Sequence, residues 1–241
     1  WLAEQPWEAA GKNKRVGFFR RFLNWLYSEH RIEHSPRNLR SRQHRFKSVT
    51  KAIKRFDKVK DVLDKLPAAF QLWGWLGINC GMTQVDMGSL DWSMIDTKKW
   101  TLTRKRVKTE SEKTVPTVTY KLFPETVKLL KAKGIKASGL VFTTGDGNPL
   151  YRAKYGDSGD KVRKTDLFST YWNRIDPKPA IPLGKYRSIG ATILKSSIEF
   201  RWAETIFLGQ SPKTVADKHY GAESDSPFFE ALAFIRSNLD K

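Results

Sequence analysis

Tyr220 is the residue in this sequence whose position most directly suggests chemistry. It closes a short basic segment, SPKTVADKHY, which begins within a Gly-Gln-Ser-Pro turn near the C-terminus. A tyrosine in this position can fill a core, stack on a base, or attack a phosphate as a phenolate nucleophile. The third role needs a strongly cationic pocket, because the phenol has an unperturbed pKa of about 10.

Two basic residues are candidates to act with such a tyrosine. Arg187 lies in GKYRSIGATIL, and its planar guanidinium suits two oxygens of one phosphate. Lys108 lies in a polar turn, where an ammonium can donate a proton to a leaving oxygen. Taken singly, these residues are as well explained as a surface arginine, a solvated lysine and a half-buried tyrosine at a helix end.

The charge of the chain indicates the class of partner. The 241 residues carry a formal charge of +19, and residues 11–60 alone hold 16 Lys/Arg against 3 Asp/Glu. Charge concentrated in this way favours a polyanion, and the Arg, His and Pro punctuation favours nucleic acid over a membrane surface.

Other compositional features narrow the chemistry. A single cysteine, Cys80, excludes an internal disulfide and a cysteine-rich zinc site, and the four histidines lack metal-binding spacing. We therefore predict no metal and no cofactor. No apolar run is long enough to span a membrane, no signal peptide is evident, and the start at Trp1 leads us to expect further residues before it.

The N-terminal part predicts a helix followed by a basic linker. Apolar residues recur at helical spacing in KNKRVGFFRRFLNWLYSEHRI, and Pro36 interrupts the pattern in HSPRNLRSRQHRF. Residues 1–45 therefore resemble the last helices of a small DNA-binding module and a hinge, and residues 46–241 form a second domain.

The sequence of the second domain predicts helices, then a small antiparallel sheet, then more helices. KAIKRFDKVKDVLDKL and PAAFQLWGWLGINCG read as helices, KWTLTRKRV and TVPTVTYKLFP as a hairpin, and PETVKLLKAKG as a helix. GLVFTT reads as a strand and GDGNPLYRAKYGDSGDK as a loop, whereas the remainder reads as helical. The predicted fold class is α+β, mainly helical.

Four segments, in this order, resemble the catalytic domain of tyrosine recombinases, the phage-integrase family. They are CGMTQVDMGSLDWSMID, RVKTESEKTVP, GKYRSIGATIL and LGQSPKTVADKHY. They match the family's Thr-Gly-Leu-Arg box, its lysine hairpin, its His-x-x-Arg box and its tyrosine box. The resemblance implies a tyrosine-recombinase-like catalytic domain with a small antiparallel sheet, preceded by the end of an α-helical core-binding domain.

The resemblance also implies roles for the three candidates. Tyr220 would attack phosphorus to form a 3′-phosphotyrosyl bond, Arg187 would stabilise the phosphate oxygens, and Lys108 would protonate the leaving 5′ oxygen. The bond energy would be kept in the phosphotyrosine, so that rejoining needs neither ATP nor metal. This predicts a site-specific recombinase or integrase.

Three positions depart from the family pattern. Thr83 stands where the first arginine belongs, Gly184 replaces the first histidine, and Gln210 replaces the later histidine or tryptophan. Possible substitutes are Gln210, Lys185, His219 and Thr83, with Arg104 or Lys105 covering the missing arginine. The departures leave two alternatives open: a catalytically impaired DNA-binding protein, or an enzyme resembling type IB topoisomerases.

The predicted partner is double-stranded DNA, which the resemblance implies is held in a C-shaped clamp. The predicted DNA contacts are basic residues of the linker and the hairpin: Arg37, Arg40, Arg42, Arg45, Lys47, Lys51, Arg104 and Arg106. The resemblance also implies a homo-oligomer, a tetramer on DNA with a monomer possible without it, and we expect a cytoplasmic, nucleoid-associated location. The tail SPFFEALAFIRSNLDK either packs on its own domain or docks into a neighbouring protomer.

Overall fold

A computed structural model of the chain describes residues 1–35, 37, 45–47, 58–107, 115–155, 161–210 and 225–239. The chain divides into two compact units, Trp1–Lys54 and Arg55–Lys241. Within the described residues, no helix is both long and apolar enough to cross a membrane.

The first unit is built on one long helix, α1 (Ala9–Ser28), which covers the segment predicted to be helical. The Asn13 side chain fixes the following segment to α1: its amide donates to the Phe46 carbonyl at 2.8 Å, and its oxygen accepts from the Phe46 amide at 2.9 Å. None of the residues of α1 is buried, and Phe19, Phe22 and Trp25 are more than half exposed.

The core of the second unit forms around α3 (Ala68–Cys80), which follows the short helix α2 (Val59–Asp64). Helix α3 is apolar on all sides and is buried from Leu72 to Cys80. It ends at Gly81, whose φ of 59° lies in the left-handed region that glycine adopts without strain. A Cβ at Gly81 would also collide with the Phe207 carbonyl, so both the backbone conformation and the close packing require glycine at this position.

A three-stranded antiparallel sheet lies after α4 (Gln84–Gly88) and a single 3₁₀ turn. Its strands are β1 (Ile95–Asp96), β2 (Thr101–Lys105) and β3 (Thr117–Lys121), in the order β1-β2-β3. Leu102 is paired with Tyr120 and Arg104 with Val118. The predicted hairpin is confirmed.

Helix α5 (Pro124–Lys133) is confirmed with its proline start and glycine end. The buried Asn79 of α3 joins this region together. Its amide donates to the Lys121 carbonyl at 2.9 Å, and its oxygen accepts from the Phe123 amide at 2.7 Å and the Thr126 hydroxyl at 3.1 Å. A buried amide with these partners fixes the sheet and α5 on α3.

Two predictions for the next segment are wrong. The predicted loop contains a strand, β4 (Tyr151–Tyr155), which pairs with β5 (Lys161–Asp166) in a second antiparallel hairpin. The predicted strand GLVFTT makes only isolated bridges among the described residues, Asp91 with Leu140 and Thr143 with Pro149. The hairpin packs against α4 because Gly88 has no side chain: a Cβ there would collide with Tyr151.

The described C-terminal segments form the predicted helices, whereas the predicted helix SPKTVADKHYG lies outside the described residues. The described helices are α6 (Leu167–Trp172), α7 (Tyr186–Ser196), α8 (Ala203–Phe207) and α9 (Asp225–Ser237). Helix α7 can approach α3 closely because of Gly190, where a Cβ would lie 2.8 Å from the Ile78 carbonyl oxygen.

The tail helix α9 packs on its own domain, which is one of the two predicted alternatives. It buries Phe228, Leu232 and Ile235, and the Phe228 ring centroid lies 5.7 Å from that of Tyr120. Arg236 forms a two-pronged ion pair with Glu125 of α5. A tail held in this way is part of the folded domain.

Candidate functional site

The buried carboxylate of Asp86 is the point at which the first three resembling segments meet. Asp86 is only 2% exposed, and its Oδ2 accepts hydrogen bonds from the Thr83 amide and the Thr83 hydroxyl, both at 2.8 Å. These contacts form a capping box that starts α4. The other oxygen, Oδ1, accepts from the Val107 amide at 3.3 Å, directly after β2.

The guanidinium of Arg104, in β2, contacts the Asp86 carboxylate. Its Nη1 pairs with Asp86 Oδ1 at 3.2 Å, and its Nη2 donates to the Cys80 carbonyl at 2.9 Å. Burial by itself lowers the pKa of this guanidinium, but Tyr120 and Asp86 outweigh burial, so the pKa is raised. At 6% exposure, Arg104 faces the interior, which argues against the predicted DNA contact and favours a structural role in holding Asp86.

Arg187, in the first turn of α7, reaches the same carboxylate from the other side. Its Nη1 donates to the Gly81 carbonyl and lies 3.8 Å from Asp86 Oδ2, and its Nη2 donates to the Leu208 carbonyl at 2.9 Å. These two hydrogen bonds use two of the five N–H donors of the guanidinium, so donors remain for an anion.

The electrostatic environment of Arg187 is unusual for an arginine. Burial lowers its pKa to about 10, Arg106 and Arg104 act in the same direction, and Asp86 opposes them. Two guanidiniums, Arg104 and Arg187, therefore face one carboxylate, and Arg106 interacts with Arg187. These four groups together carry a net charge of +2. Such a cluster favours an anion, and perturbed groups of this kind concentrate at functional sites.

Arg106 approaches this site from the end of the hairpin strand. A Cβ built on Gly209 would lie 3.2 Å from the Arg106 Cβ, so the Leu208–Gln210 turn and the hairpin are in close contact. The Arg106 Nε is buried and makes no hydrogen bond with any residue that the structure describes.

The structure describes only some of the predicted site residues. Arg187 lies in the cluster, and Gln210 directly follows Gly209 and is half-buried. Lys185 is exposed at the start of α7. Tyr220, Lys108 and His219 lie outside the described residues, so their roles stay predictions.

Two departures from the family pattern acquire a physical description. The Thr83 hydroxyl donates its single hydrogen to Asp86, which argues against Thr83 as a substitute hydrogen-bond donor to phosphate. A Cβ at Gly184 would meet, among described atoms within 4 Å, only Gln84 Nε2 at 3.9 Å. The Gln84 amide therefore lies beside the position of the absent histidine.

The predicted DNA contacts of the linker are only partly described. Arg37, Arg45 and Lys47 are exposed in the first unit, as a phosphate contact requires. Arg40, Arg42 and Lys51 lie outside the described residues. DNA contact by this segment stays a prediction.

The architecture is similar to that of a solved phage integrase. The structure of "Integrase from mycobacterium phage Brujita" matches with a TM-score of 0.56 at 14% sequence identity, over 98% of this chain and 75% of that chain. The fold is integrase-like. No protein-family model and no curated protein matches the chain.

Within this integrase-like fold, the position of Gln84 and the central role of Asp86 were not predicted from the sequence. A usable signal for the arginines was the alternation in TLTRKRV, which puts Leu102, Arg104 and Arg106 on one side of β2. Because Leu102 is a core residue, the same alternation predicts that Arg104 is turned inward.

Proposed function

We propose that this chain is a site-specific DNA recombinase that cleaves and rejoins double-stranded DNA through a 3′-phosphotyrosyl intermediate. The observation that carries the proposal is the half-buried Arg187 guanidinium, held by Asp86 and by the Gly81 and Leu208 carbonyls. The integrase-like fold supports the same reading.

The proposed reaction requires Tyr220 and Lys108, which lie outside the described residues, to converge on this cluster with Arg187. The phenolate oxygen of Tyr220 attacks phosphorus, the bond from phosphorus to the 5′ oxygen breaks, and Lys108 protonates that oxygen. Negative charge accumulates on the non-bridging oxygens in the transition state, where Arg187 stabilises it. Rejoining is the reverse reaction, in which a 5′ hydroxyl displaces the tyrosine.

The chain allows this convergence. Lys108 directly follows Val107, whose amide is bound to Asp86. Tyr220 lies ten residues after Gln210 in the sequence, and a segment of that length extends to roughly 33–36 Å, which is ample reach.

The decisive experiment is covalent trapping. The protein is incubated with a library of nicked duplexes of randomised sequence, in which a released fragment prevents rejoining, and protein–DNA adducts are separated under denaturing conditions. We expect an adduct with the wild-type chain and with Tyr27→Phe, a matched variant of an exposed tyrosine, and none with Tyr220→Phe.

Two other results would change the assignment. DNA binding without any adduct would support a binding protein that has lost turnover, a reading favoured by Gly184 and by the engaged hydroxyl of Thr83. Relaxation of supercoiled plasmid without a preferred sequence would indicate topoisomerase-like activity.

A further inference from the structure

The cluster around Asp86 lacks one cation at the place where the resemblance expects an arginine. Thr83 occupies that position, and its hydroxyl and amide are both bound to Asp86 Oδ2. A single arginine on a phosphate leaves much of the transition-state charge without a fixed donor.

Arg104 cannot fill this place in the described arrangement. Its Nη1 is engaged with Asp86 and its Nη2 with Cys80, and the side chain is 4% exposed. Lys105 lies on the opposite side of β2 from the buried Leu102, because side chains alternate along a strand.

Arg106 lies beside two of the groups that hold Arg187, namely Asp86 and the turn at Leu208. It extends the side of β2 that carries Leu102 and Arg104, and the next residue, Val107, is anchored to Asp86 by its amide. The absence of a side chain at Gly209 allows Arg106 to pack against the turn whose Leu208 carbonyl binds Arg187.

We propose that Arg106 supplies the second guanidinium to the phosphate that Arg187 binds. This inference rests on the proposed function. In the family pattern the second phosphate-binding arginine stands at the position of Thr83, before α4, and here its role is assigned to Arg106 of the hairpin. Both guanidiniums keep their protons throughout; they donate hydrogen bonds to the non-bridging oxygens while the phosphorus–oxygen bonds exchange.

The charge arrangement supports this assignment. Two guanidiniums close enough to disfavour each other's charge gain most from an anion between them. The contact at Gly209 brings Arg106 to the turn that binds Arg187, and the charge of Arg106 adds to burial in lowering the pKa of Arg187. The buried Arg106 Nε, which has no hydrogen-bond partner among the described residues, supplies a donor that an oxyanion can engage.

The first test measures binding of inorganic phosphate to the whole chain by NMR. Arginine labelled with nitrogen-15 gives Nε–H signals, and Arg106→Lys and Arg187→Lys identify the two signals of interest by their loss. We expect both signals to shift in the wild-type chain with one phosphate affinity. Arg106→Gln should weaken the affinity reported by Arg187 about tenfold or more.

The matched control is Arg174→Gln, which removes one exposed positive charge elsewhere in the second unit. We expect this control to change the affinity less than about twofold, because the charge of an exposed side chain is screened by solvent and salt. Arg106→Lys keeps the positive charge but lacks the planar guanidinium, so its phosphate affinity should lie between those of the wild-type chain and Arg106→Gln. If Arg106→Gln unfolds, the affinity of Arg106→Lys tests the proposal instead. Equal affinities for Arg106→Gln and Arg174→Gln, or an unmoved Arg106 signal, would overturn the proposal.

A second test separates this inference from the proposed function. Where the wild-type chain forms the DNA adduct, Arg106→Gln should slow its formation roughly 10²–10³-fold, the usual loss for one such donor. Replacing one non-bridging oxygen of the DNA phosphate by a methyl group removes a negative charge. With this substrate, the difference in rate between the wild-type chain and Arg106→Gln should be smaller. If no adduct forms with the wild type, the recombinase proposal fails, and the phosphate titration still decides whether Arg106 and Arg187 share an anion.

Discussion

Replacing Asp86 with alanine should destabilise the second unit severely. The substitution leaves the Arg104 guanidinium buried without its carboxylate, and breaking a buried ion pair in this way costs about 3–5 kcal/mol. Loss of the side-chain cap of α4 adds about 1 kcal/mol. Against a typical total stability of about 5–15 kcal/mol, this is a large fraction.

The assay is urea unfolding followed by tryptophan fluorescence, with the change in unfolding free energy extrapolated to water. Asp96→Ala is the control, because that carboxylate is exposed and, among the described residues, accepts hydrogen bonds only from the Lys98 and Lys99 amides. We expect a far smaller change for the control than for Asp86→Ala.

A double variant tests the cause. Asp86→Leu with Arg104→Met removes both charges of the buried pair, and we expect it to be more stable than either single variant, because neither member of that pair is left buried without the other. If Asp86→Ala is no more harmful than Asp96→Ala, or if the double variant loses the full sum of both singles, the buried pair does not organise the site as described.

Five further outcomes are expected. Gly190→Ala should lower thermal stability by about 1–3 kcal/mol by overpacking against Ile78, whereas Gly17→Ala, with open space around it, should stabilise α1 by about 0.5–1 kcal/mol. Burial raises the pKa of the Cys80 thiol to about 12, so a thiol reagent at pH 8 should label the chain only after unfolding. Ile235→Ala should cost about 2–5 kcal/mol in a urea titration, because α9 belongs to the core; an unchanged midpoint would indicate a tail docked elsewhere. DNA affinity should fall with salt at a logarithmic slope of about −0.9 per contacted phosphate, and a flat response would argue against a phosphate-binding surface.

Much of the fold could be predicted because hydrophobic periodicity and turn residues act locally. The all-apolar α3, the alternating β2 and β3, and α5 between its proline and glycine are examples. The second hairpin was missed because its strands are mostly polar and charged, and its position depends on a distant glycine, Gly88.

The site was harder to predict than the fold. Arg187 was identified by its motif, but Asp86 and Gln84 gain significance only when distant segments pack together. Arg104 carries a charge that composition assigns to the surface, yet its partners lie in the core. Only pairing across the fold explains why a guanidinium is buried there.

The convergence on Asp86 has a consequence for the order in which the protein matures. The hydrogen bond between Arg187 and the Gly81 carbonyl spans 106 positions of sequence, whereas the Thr83 cap spans three. During synthesis, the contact between Thr83 and Asp86 can therefore form locally, but Arg187 can reach Asp86 only after α7 has been translated. The proposed anion site is consequently completed late in synthesis.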